Sequence, residues 1–199
     1  MTREEMLSDL AYARSLAEEG RHAPLIGGSY PLFFGALLTL CYGAQYAVLT
    51  RLVDLPGNSI GWIWMSFGVL SVVGSVVLGQ RVRTLPGGAS ISNRVDRAVW
   101  QGVVAAIFVV VIGSILRAIV LGDYTAPNVI VASGFGLYGV AIYATASISG
   151  ETWLRGFAVL SWLVSGLIWF FLGEAWVYLI AAIASIAVLI VPGFIMIQR

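Results

Sequence analysis

From position 30 to position 199 the chain is almost continuously apolar, and the few polar clusters that interrupt it cut the run into six stretches. A bilayer core about 30 Å thick takes roughly 20 apolar residues per helix. Six segments meet that length, at about 31–50, 60–79, 98–121, 127–148, 153–172 and 176–197. The expectation is an all-α integral membrane protein, a six-transmembrane-helix bundle occupying 30–199. Residues 1–29 are left as a short cytoplasmic amphipathic helix and its linker. With 11% charged residues against roughly a quarter in soluble domains, no soluble core absorbs the excess.

Missing residue types narrow the chemistry. All 11 basic residues are arginine, and the chain has no lysine. That excludes a Schiff base to retinal or pyridoxal and a P-loop amine. Cys41 and His22 are the single cysteine and histidine, so one chain lacks the ligands for zinc, copper or a bis-histidine haem. No histidine lies in a span to activate a serine. The expectation is a non-enzyme with no cofactor, no metal and no nucleic-acid partner. The mixed, acidic opening residues do not read as a secretory signal.

Arginine also orients the chain. Arg3, Arg14, Arg21, Arg81, Arg83, Arg94, Arg97, Arg155 and Arg199 fall on one side of a six-span arrangement, and Arg51 and Arg117 on the other. The positive-inside rule then places both termini in the cytoplasm of a bacterial-type inner membrane. Trp62, Trp64, Trp100, Trp153 and Trp176 sit near span ends and read as interfacial anchors.

On the cytoplasmic side, Thr2-Arg3-Glu4-Glu5 has the spacing of a capping box and opens an amphipathic stretch that stops at Gly20. Its acidic face, ending in Glu18 and Glu19, faces the same compartment as the basic loop 80–97, with Arg81, Arg83, Arg94 and Arg97 opposed only by Asp96. Docking of helix on loop is one expectation. Arginines resting on lipid phosphate beside a solvated helix is the other.

Within the spans, Arg117 is the residue that apolarity does not explain, since a buried charge costs roughly 2.5–3.5 kcal/mol at mid-bilayer. A pair with Asp123 or Glu174 accounts for it, and an anion site is the sharper alternative. Gln45 and Tyr46, with Tyr42, place polar groups on successive turns of span one. Together with Arg117, Tyr138 and Tyr143 they are candidates to line a cavity, and hydrogen bonding between helices is the plainer account. Ser71, Ser75 and Gly79 in span two, and Ala132 and Gly136 in span four, recur at four-residue spacing as helix-packing faces. Pro192 and Gly193 are expected to kink span six.

The two halves echo one another. Tyr42-Gly43-Ala44-Gln45-Tyr46-Ala47 resembles Tyr138-Gly139-Val140-Ala141-Ile142-Tyr143-Ala144, Phe67-Gly68-Val69-Leu70-Ser71 resembles Phe157-Ala158-Val159-Leu160-Ser161, and Trp100 and Trp176 each precede a similar Ala-Ala-Ile run. Three spans per half would make this a 3+3 inverted repeat. Two functions follow from these features. One is a non-catalytic accessory or regulatory subunit acting through helix packing, with the bilayer and a second copy or another membrane protein as its partners. The other is a small-solute transporter or channel.

Overall fold

The computed structural model describes residues 7, 9, 12, 26–83, 85 and 90–198. These form helices α1 (Ser29–Leu49), α2 (Ser59–Arg83), α3 (Ile91–Leu121), α4 (Val129–Ser149), α5 (Leu154–Phe170) and α6 (Trp176–Gln198), and no strand occurs among them. Five helices are long and apolar enough to cross a membrane, the fourth being counted from Ala126. α5 is apolar but has 17 residues, the short end of the spanning range. Leu7, Asp9 and Tyr12 are helical and exposed, and the rest of the expected N-terminal helix, with Glu18 and Glu19, lies outside the described residues.

Two helices run on beyond the apolar segments that announced them. α2 continues to Arg83 and α3 starts at Ile91, so most of the expected loop 80–97 is helical. Hydropathy marks where the bilayer stops; backbone hydrogen bonding continues into water. Ser90 caps α3, its hydroxyl accepting from the Asn93 amide at 3.3 Å. At 31 residues, α3 is about 46 Å long at 1.5 Å per residue, more than the bilayer core. At the other ends, glycines in the left-handed region stop the helices: Gly122 (φ 70) after α3 and Gly150 (φ 76) after α4. Arg51 holds the same conformation (φ 56) after α1, where a side chain is disfavoured.

Packing divides the helices into two groups. α1 is flanked by α2 and α6; α4 is flanked by α3 and α5. A shared core joins them, with Leu38 and Tyr42 from α1, Phe135 and Ile142 from α4, Ile168 from α5 and Val188 from α6. The α4–α5 contact is the most intimate. Ser161 and Ser165 of α5 donate to the carbonyls of Phe135 (2.6 Å) and Ala132 (2.7 Å), and the Trp162 indole donates to that of Gly136 at 3.2 Å.

α1 meets α6 through glycine. A methyl group on Gly35 would lie 2.8 Å from Leu189 Cβ, and one on Gly193 would lie 2.8 Å from the Leu32 amide nitrogen. Opposite Gly35, α6 widens into a π-helical segment, Ile186–Ile190, where the Val191 amide reaches back five residues to the Ile186 carbonyl. The cause is local: Pro192 has no N–H for the Val188 carbonyl and its ring crowds that oxygen.

Candidate functional site

The expected cavity residues do not gather in one place. Gln45 is buried, and its carbonyl accepts from the Trp64 indole at 2.7 Å, with the Tyr178 ring beside Tyr42 in the same interior. Tyr178 donates in turn to Asn128 Oδ1 at 2.7 Å, which ties the start of α6 to the turn before α4. Tyr46 packs against the core beside them. Tyr138 belongs to the same interior, with its ring 6.4 Å from Trp100 and 5.9 Å from Phe135.

Arg117 is elsewhere. Its side chain is 60% exposed and its Nε donates to Asp123 Oδ2 at 2.7 Å. The Thr125 hydroxyl and then the Arg117 guanidinium hold the Asp123 carboxyl down at about 2. Arg117 therefore joins Asp123 just beyond the end of α3 and does not meet Gln45, Tyr46 or Tyr138. Its length decides this, because a long side chain near a helix end carries its charge outward at little cost. Glu174 is exposed in the turn before α6. Tyr143 lies towards the other end of α4, with the Arg155 guanidinium 5.8 Å from its ring centre.

Small residues also sort differently from their spacing. Ala132 and Gly136 face α5 within the chain. Gly79 lies near the Tyr30 hydroxyl, and Gly74, between the expected positions, receives the Phe33 ring. Ser71 is turned inward with its hydroxyl buried and unpartnered among the described residues, whereas Ser75 is exposed. The open stripe on α2 is Gly61, Gly68 and Ser75, at seven-residue intervals. Nothing lies within 4 Å of a methyl group added at Gly61 or Gly68.

Trp64 and Trp100 point inward to Gln45 and Tyr138 rather than standing as lipid-facing anchors, while Trp62 is 66% exposed. At the end of the bundle reached by the arginine-rich segments, Arg81 and Arg94 are exposed and Arg97 is half-buried; the Arg83 side chain lies outside the described residues.

Sequence reasoning missed Asp96 as a structural residue. It is buried, accepts a hydrogen bond from the Thr145 hydroxyl, and lies against Gly27 in the turn before α1. The signal was present: Ser92, Asn93, Asp96, Val103, Ser114 and Ala118 follow helical spacing along one buried face. No group of three metal-ligating side chains occurs among the described residues. No family model, curated protein or solved structure matches the chain.

Proposed function

We propose that this is a non-catalytic six-span protein of a bacterial-type inner membrane, with both termini cytoplasmic, that works as an accessory or regulatory subunit through helix packing. One observation carries the reading: across the apolar window of α2, 0% of the residues are buried within the chain. α2 rests on α1 along a single stripe and leaves Gly61, Gly68 and Ser75 open, flanked by the exposed Met65, Val69 and Val72. A smooth small-residue groove of this kind lets another helix approach closely. The polar interior supports the same reading, since Gln45 and Tyr178 are hydrogen-bonded to their neighbours and Arg117 is drawn off to Asp123. The inward-facing arginines support the orientation.

The test is crosslinking in native membranes. Gly68→Cys is expected to trap a second copy or a partner subunit, whereas Gly166→Cys, set among the bulky Trp162, Leu163 and Trp169 on α5, is not. Equal yields from the two positions would count against α2 as the contact.

A transporter built on an inverted repeat is the second reading, and the packing favours it in one respect. Exchanging spans one and four, two and five, and three and six carries the α1–α2 contact onto α4–α5 and the α1–α6 contact onto α4–α3. Within the echoed fragments, Val69 and Leu70 are exposed, as are Val159 and Leu160, while Ser71 and Ser161 both turn inward. Solute uptake into proteoliposomes that is lost in Gln45→Leu would favour this reading over the first.

A further inference from the structure

Three side chains form a ladder on the outer face of the α4–α5 pair. The Trp162 indole lies over Gly139, where a methyl group would strike its Nε1, and donates to the Gly136 carbonyl at 3.2 Å. Tyr143 rests beside that indole, with ring centres 5.8 Å apart and planes inclined at 36°. The Arg155 guanidinium in turn sits 5.8 Å from the Tyr143 ring centre, within the range of a cation–π contact. Glycine seats the tryptophan, the tryptophan steadies the tyrosine, and the tyrosine holds the cation.

The ladder ends in a charge that the chain does not neutralise. Arg155 is exposed, and its guanidinium makes no hydrogen bond or ion pair with any described residue. Glu151, the acid nearest to it in sequence, turns its carboxylate to the Trp153 indole at 2.5 Å instead. A cation–π contact leaves the N–H fork of the guanidinium without an oxygen partner, and that fork matches two oxygens of a phosphate.

Apolar side chains continue the same helix faces inward. Val140 lies three residues before Tyr143 on α4, and Val159 and Leu163 follow Arg155 at four-residue steps on α5. All three are exposed. The surface thus carries one cation near the helix ends and an apolar strip leading from it towards mid-membrane, which matches the head and chains of a phospholipid. A headgroup ammonium finds no partner here, since Glu151 faces Trp153 and the Tyr143 ring already meets Arg155. The complementary lipid is therefore one of net negative charge.

We propose that the ladder of Arg155, Tyr143 and Trp162 binds one anionic phospholipid, its phosphate on Arg155 and its acyl chains along Val140, Val159 and Leu163. None of these residues lies on the Gly61, Gly68, Ser75 stripe, so lipid binding and partner binding hold or fail separately.

Native mass spectrometry of the full chain in mild detergent, titrated with phosphatidylglycerol, tests this. Phosphatidylglycerol is expected to bind more tightly than phosphatidylcholine. Arg155→Gln should weaken it about tenfold, the worth of one hydrogen bond to a charged group. Tyr143→Leu, which keeps the charge and removes the ring beside it, should weaken it about threefold. Arg94→Gln, at another exposed arginine, should leave the affinity unchanged, and glycerol phosphate, which has the phosphate without the chains, should not displace the lipid. Equal binding of phosphatidylcholine, or equal losses in Arg94→Gln and Arg155→Gln, would overturn the proposal in favour of diffuse charge attraction. Full affinity in Tyr143→Leu would overturn it as well, and displacement by glycerol phosphate would mean that the site takes a soluble phosphate rather than a lipid.

Discussion

Asp96 and Arg117 show how position along a helix decides the fate of a charge in this chain. Asp96 is held inside by a partner, the Thr145 hydroxyl, and by close packing against Gly27. Removing that partner leaves a buried carboxylate short of a donor. Thr145→Val is therefore expected to cost about 1–3 kcal/mol, read as a lower melting temperature in detergent, and Asp96→Asn in the same background should recover part of it. Arg117 needs no interior, since it reaches Asp123 at the surface. The Asp123 carboxyl is held down to about 2, so its pairing is fully present above the ordinary carboxylate range and is lost only as pH falls through about 2. An NMR titration of Asp123 should show that low midpoint in the native chain and a rise towards the ordinary value in Arg117→Gln. At Arg51 the backbone is left-handed (φ 56). Arg51→Gly should raise the melting temperature by an amount equivalent to about 0.5–1 kcal/mol, which differential scanning calorimetry would detect.

At the scale of elements, the helices were legible in the sequence and their neighbours were not. Apolar length and turn residues place α1 to α6 close to where they occur, because crossing a bilayer demands length and satisfied backbone groups. Which face turns inward is another matter. Leucine and valine suit lipid as well as core, so Val72, Val73, Val76 and Val77 on α2 are exposed while Leu37, Leu38 and Val48 on α1 are buried. Four-residue spacing identified Ala132 and Gly136 as small positions without indicating that α5 fills them. Gly74, the residue that admits Phe33, lies outside the Ser71, Ser75, Gly79 spacing. Pro192 announced an irregularity in span six, and its form is the π segment ahead of it. Pro192→Ala should let Ile186–Ile190 close into ordinary α-helix, seen as a shift in the carbonyl and amide resonances of those residues. Gly193→Ala puts a methyl group 2.8 Å from the Leu32 amide nitrogen, and should cost about 1–3 kcal/mol through overpacking.

For the whole molecule, most buried polar contacts lie within each helix group, with Tyr178 to Asn128 linking the two, and two outer helices, α2 and α3, are left largely exposed. The uncovered small-residue stripe on α2 offers a surface for association. We propose that this stripe holds a partner helix. Native mass spectrometry from mild detergent measures this, comparing the natural chain with Gly61→Leu/Gly68→Leu, at positions where an added Cβ meets nothing within 4 Å. The expected result is a homo-oligomer or a defined complex for the natural chain and a lone 21.3 kDa protomer of unchanged melting temperature for the variant. A natural chain that is itself monomeric and unaccompanied, or a variant whose assembly is intact, would contradict it.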